Sequence, residues 1–162
     1  MSERGTRLLE TVDRQISELI AIVSIKDEAA LTLPCAGREK LGDGTIAACA
    51  VHTADNYHRI AGFLNGDARQ HRIARFLHGH GQGKHPGDYS AENINLKTVL
   101  DRLTTGRVAL STLADLTDEQ LDTIPPARDM KFCDGQRTLE QIVTNMLKHQ
   151  NHQLDAMKAA IA

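Results

Sequence analysis

The final stretch of the chain, from Gly135 to Ala162, leaves little choice of fold. After Gly135 no Gly or Pro interrupts it, and Thr138 followed three residues later by Gln141 is a capping-box signature for a helix start. Behind that cap, Leu139, Ile142, Val143, Met146, Gln150, Gln153, Leu154, Met157 and Ile161 recur at helical spacing. One face of a long helix must therefore be buried, and it needs partners of similar length. Asn145 and His149 flank this face, and His152 lies farther round the helix.

The partners are legible upstream. Leu8 to Val23 is amphipathic, with Leu8, Leu9, Val12, Ile16, Leu19, Ile20 and Val23 on one side. Pro34, Gly37, Gly42 and Gly44 end any continuation. A second helix begins near Thr45; Ile46, Cys49, Ala50, Thr53, Tyr57, Ile60, Ala61 and Leu64 mark its inner stripe, and it stops near Asn65 and Gly66. His52, Asn56 and Phe63 lie on the flank of that stripe. From Asn95, a suitable N-cap, Leu96, Val99, Leu100, Leu103, Val108, Leu110 and Leu113 predict a third helix. Gly106 inside it costs about 1 kcal/mol relative to Ala. Thr117, Asp118 and Glu119 open a short helical turn that ends before Pro125 and Pro126.

Composition agrees with an all-α chain: aromatics make up 3% and Trp is absent, so Leu, Ile, Ala and Met must build the core. A length of 162 residues predicts a single domain, 1–162, with room for a real core. A formal net charge of −2 gives no reason to expect nucleic acid or an anionic membrane as the main partner. The polar start of the chain lacks a secretory signal, and no apolar run is long enough to span a bilayer. Cys35, Cys49 and Cys133 form neither a disulfide framework nor a CxxC zinc pattern, so the expectation is a reduced cytoplasmic protein.

The chain also resembles itself. Asp27 through Gly44 aligns without gaps on Asp118 through Gly135, sharing Asp27/Asp118, Glu28/Glu119, Thr32/Thr123, Pro34/Pro125, Ala36/Ala127, Lys40/Lys131, Asp43/Asp134 and Gly44/Gly135. After a two-residue insertion Thr45 meets Thr138, and the apolar stripes of the second and final helices coincide. Each half is a long helix, an irregular strap and a second long helix. Two such halves predict an up-and-down four-helix bundle with an approximate internal two-fold repeat.

That symmetry brings His52 and His149 together from equivalent helices. Imidazoles from facing helices can hold zinc or nickel and leave a position open; His152, three residues beyond His149, is a further candidate. Solvated flank histidines are the alternative. Asp55, one turn after His52, is placed to orient an imidazole or act as a base, or to pair with Arg59 at i+4. Tyr57 and Cys49, on the inner stripe, read as packing residues.

The segments His52 to His58 and Arg137 to Gln153 resemble the DinB/YfiT-like family of helical bundles. The resemblance covers most of the chain in helix order and strap placement, though its motifs are short. It implies a divalent-metal site made by one histidine of the second helix and two, four residues apart, on the final helix. His52 and His149 match two of these positions, but the third falls on Gln153, a poor ligand for a borderline metal. The resemblance further implies a homodimer and a metal-dependent hydrolase or low-molecular-weight-thiol transferase, with chemistry at a metal-polarised water or thiol. A non-catalytic binding or dimerisation module with a degenerate metal site is the competing expectation.

Other patterns carry less. Gly79 to His85 has the wrong glycine spacing for a phosphate loop and lacks the following Ser or Thr. The basic run from Arg69 to Lys84 reads as a solvated face, with an anionic co-substrate or a subunit contact as alternatives, and His78, His80 and His85 as loop residues or adventitious metal ligands. A ferritin-like di-metal site needs Glu-x-x-His on two helices, and only Asp55 with His58 comes near.

Overall fold

A computed structural model of the chain describes residues 2–25, 27–66 and 94–162. The histidine- and arginine-rich run from Arg69 to Lys84, with His78, His80 and His85, lies outside them. Helix α1 spans Glu3–Val23 and starts earlier than its apolar periodicity, because the Ser2 hydroxyl accepts from the Gly5 N–H at 2.9 Å and so caps it. Helix α2 spans Ile46–Leu64 behind the Thr45 cap, and α3 spans Leu96–Leu110 behind Asn95. A short α4, Asp118–Asp122, and the long α5, Leu139–Ile161, both open on complete capping boxes, Thr117/Gln120 and Thr138/Gln141.

Two details differ from the periodicity. A 3-10 turn, Glu28–Thr32, interrupts the first strap and buries Leu31. The third helix stops at Leu110 and tightens into a second 3-10 turn, Ser111–Asp115, which carries Leu113 into the core. Gly106 does not break α3: a Cβ there would stand 3.3 Å from the Cβ of Tyr57, so the glycine lets α2 and α3 approach closely. Among the described residues there is no strand, only a single bridge between Pro34 and Thr45. The described part of the chain is all-α.

The core joins Val12, Ile16 and Leu19 of α1, Ile46, Tyr57 and Ile60 of α2, Leu103 and Leu110 of α3, and Ile142, Leu154 and Met157 of α5. Each such Leu or Ile contributes roughly 1.5–3 kcal/mol by leaving water. Ile161, expected on the same stripe, is 36% exposed at the C-terminal end of α5.

A buried polar chain crosses this core. The Tyr57 hydroxyl donates to Gln15 Oε1 at 2.9 Å, and Gln15 Nε2 donates to the Leu147 carbonyl and to Asn151 Oδ1, both at 2.9 Å. Asn56 Nδ2 donates to Gln150 Oε1 at 2.9 Å, while Gln150 Nε2 donates to the Thr53 carbonyl at 2.8 Å. These bonds fix the register of α1, α2 and α5 against one another, because sliding any helix would strand buried amides.

The same contacts set the helix directions. Arg4 meets Glu140, Gln15 meets Leu147, and Glu18 meets Lys158, so α1 and α5 run parallel. Thr53 and Cys49 meet Gln150 and Gln153, so α2 runs antiparallel to α5. Arg107 reaches Asp13 while Gly5 abuts Leu113, so α3 runs antiparallel to α1. The order is therefore up, down, down, up for α1, α2, α3 and α5, not the strict alternation of an up-and-down arrangement. Helix α1 packs mainly on the Ser111–Asp115 turn, α3 and α5, and α2 mainly on α3 and α5. Among the described residues no helix is long and apolar enough to cross a membrane.

Candidate functional site

The antiparallel packing of α2 on α5 brings His52 and His149 to one interhelical surface. His52 is 3% exposed, and burial pushes its imidazole down to about 3, helped by the charges of Arg59 and Arg38 and by the nearness of His149. His149 is half-buried; burial, with Lys131, Arg38, Arg59 and His152, pushes it down to about 4. Both rings are neutral at physiological pH, and the charges that bear on them are cations. His152 is exposed on the solvent side of α5 and does not turn inward to join them.

Gln153 is the inward-facing residue of this turn, buried at 2% exposure. Its surroundings come from the first strap. The Cys35 N–H donates to the Gly44 carbonyl at 2.8 Å and the Ile46 N–H to the Leu33 carbonyl at 3.0 Å, folding the strap back on the start of α2. Gly44 makes that return possible at φ +75°, with Glu39 Cα only 3.1 Å from where a Cβ would sit. The strap thereby delivers Arg38, whose Nε donates to Gln153 Oε1. The Cys49 thiol donates to the same oxygen at 3.4 Å. With its oxygen claimed by two donors, the amide turns its nitrogen to His149 Nε2, 3.2 Å away. That bond makes Nε2 the acceptor and puts the proton of the neutral ring on Nδ1.

This donor set does not fit a divalent metal. The His149 lone pair that a metal would need is taken by an amide N–H. The third expected position is a carboxamide whose oxygen is held by a guanidinium, and the surrounding charges repel a cation. Among the described residues no three His, Cys, Asp or Glu side chains gather as a possible metal set. The site instead presents two neutral imidazoles, a carboxamide and a guanidinium, a set suited to hydrogen bonding and to negative charge.

Asp55 sits on another flank. It is half-buried, and its carboxylate ion-pairs with Arg102 of α3 at 2.5 Å, tying α2 to α3. Arg102 also offers its carbonyl to His58 Nε2 at 2.8 Å. Arg38 and Arg102 lie far from their partners in sequence, and helical spacing gives no signal for either. Cys49 and Tyr57 are fully buried packing residues, as their stripe positions predict. Phe63 is half-buried under the Arg128 guanidinium of the second strap, 5.8 Å from its ring centre.

No family model matches the chain, and neither a curated protein nor a solved structure matches it.

Proposed function

We propose that the chain is a DinB-like four-helix bundle, two duplicated helical hairpins, that binds a small anionic molecule between α2 and α5 without a metal. The duplication is supported by the antiparallel pairs α1/α3 and α2/α5, which a two-fold axis across the helices would exchange. It is supported also by the matching caps Thr45 and Thr138 and by the left-handed turns at Gly44 and Gly135. The straps match less closely: the buried leucines Leu31 and Leu121 differ by one position in the aligned register. Pairing into a cytoplasmic homodimer belongs to the same reading.

One observation carries the functional part. The Arg38 guanidinium occupies Gln153 at the position where the resembled family would have its third metal ligand. A guanidinium there, beside two neutral imidazoles, favours carboxylate or phosphate oxygen over a divalent cation. The competing reading, a zinc- or nickel-dependent hydrolase or thiol transferase using His52, His149 and His152 with Asp55 as base, draws support only from the approach of His52 and His149. Side-chain NMR of the imidazoles during separate titrations with inorganic phosphate and acetate tests the proposal. Saturable shifts at His149 that vanish in Arg38→Ala are expected. No shift with either anion, or shifts indifferent to Arg38→Ala, would overturn it.

A further inference from the structure

Beside the Arg38–Gln153 contact lie two thiols. Cys35 and Cys49 are both free and fully buried, at 1% and 0% exposure. The bridge between Pro34 and Thr45 and the bond from the Cys35 N–H to the Gly44 carbonyl seat Cys35 against the first turn of α2, where Cys49 lies. The two thiols lie close enough that each shifts the other's ionisation. Cys133 is elsewhere, with its thiol directed at the Pro126 carbonyl at 3.4 Å in the second strap. The residues flanking Cys35, namely Pro34, Ala36 and Gly37, are all exposed, so a small opening of the strap brings this thiol to solvent.

We infer that Cys35 and Cys49 are a redox pair that closes to an intramolecular disulfide under peroxide, fixing the strap that carries Arg38 to α2. Cys35 is the attacking thiol. Its contact with Cys49 and the nearby Arg38 charge hold it below the usual thiol range, whereas that same contact and burial push Cys49 up. The Cys35 thiolate attacks one peroxide oxygen: an S–O bond forms, the O–O bond breaks, and the departing hydroxide takes a proton to become water. Cys49 Sγ then attacks Cys35 Sγ. The S–S bond forms, the S–O bond breaks, and the second hydroxide leaves as water with the Cys49 proton. Two thiols and one peroxide give one disulfide and two waters, with two electrons passing to the peroxide. This inference goes beyond the binding reading and stands without it.

Hydrogen peroxide added to the folded, reduced full chain tests it. Of the three cysteines, two should be lost to thiol reagents, the intact mass should fall by about 2 Da, and peptide mapping should join Cys35 to Cys49. Dithiothreitol should reverse all three changes. Cys133→Ser should leave the reaction intact; Cys35→Ser or Cys49→Ser should abolish it. Hydrogen exchange of the oxidised wild type should slow at the Cys35, Arg38, Leu41 and Gly44 amides, which are hydrogen-bonded within the strap. Three thiols surviving, a bond that includes Cys133, or unchanged strap exchange would each overturn the inference in the wild-type protein, whatever the variants do.

Discussion

Gln153 shows how one side chain decides what two histidines can do. Its amide spends the His149 lone pair and accepts the Arg38 guanidinium, while burial, with the cations nearby, keeps both imidazoles neutral. A measurable consequence is pH dependence. A histidine whose folded value is depressed binds fewer protons than it does unfolded, so stability is full above about 6.5 and falls as pH drops toward the folded value. With His52 depressed to about 3, the chain should lose roughly 2 kcal/mol from this residue alone by pH 5. Urea melts between pH 7 and pH 5 should show at least that slope, and His52→Asn should remove its share while the part due to His149 remains. Acidic residues act in a lower window. Glu18, held down by Lys158, and Asp134, held down by the Gln136 and Arg137 N–H groups, withdraw their stabilisation only as pH falls through their own lowered values. The two imidazoles were legible because they flank apolar stripes at helical spacing. Arg38 was not, since a residue in a Gly-rich strap has no periodicity to reveal its target.

At the scale of helices, capping chemistry and apolar spacing were good guides, and Thr138, Thr117, Thr45 and Asn95 all cap where their types predict. The misses are places where tertiary packing overrides the local pattern. The α3 run gives way to a 3-10 turn because Leu113 must reach the core beside α1. That junction rests on Gly5, where a Cβ would stand 2.4 Å from the Leu113 carbonyl oxygen. Gly5→Ala gains about 1 kcal/mol of helix propensity, yet the clash is with backbone and cannot be relieved by a rotamer change. The variant should therefore be less stable by about 1–3 kcal/mol, read as a lower denaturant midpoint with an unchanged slope. A midpoint equal to or above wild type would show that α1 and the 3-10 turn can part without loss.

For the whole molecule, the likeness between Asp27 to Gly44 and Asp118 to Gly135, on which the proposed duplication rests, says nothing of helix direction. That follows from the contacts of buried Gln15 and Gln150, which read in sequence as ordinary members of amphipathic runs. Both straps bring a cation to the α2–α5 surface, Arg38 from one and Lys131 from the other. Cations from two straps are what separate this site from a three-ligand metal centre. Titration calorimetry with zinc and nickel on untagged wild type, His52→Ala and His149→Ala tests that directly. The account predicts no equivalent of either metal whose binding depends on His52 or His149. One equivalent per chain in the wild type, lost in both variants, would contradict it.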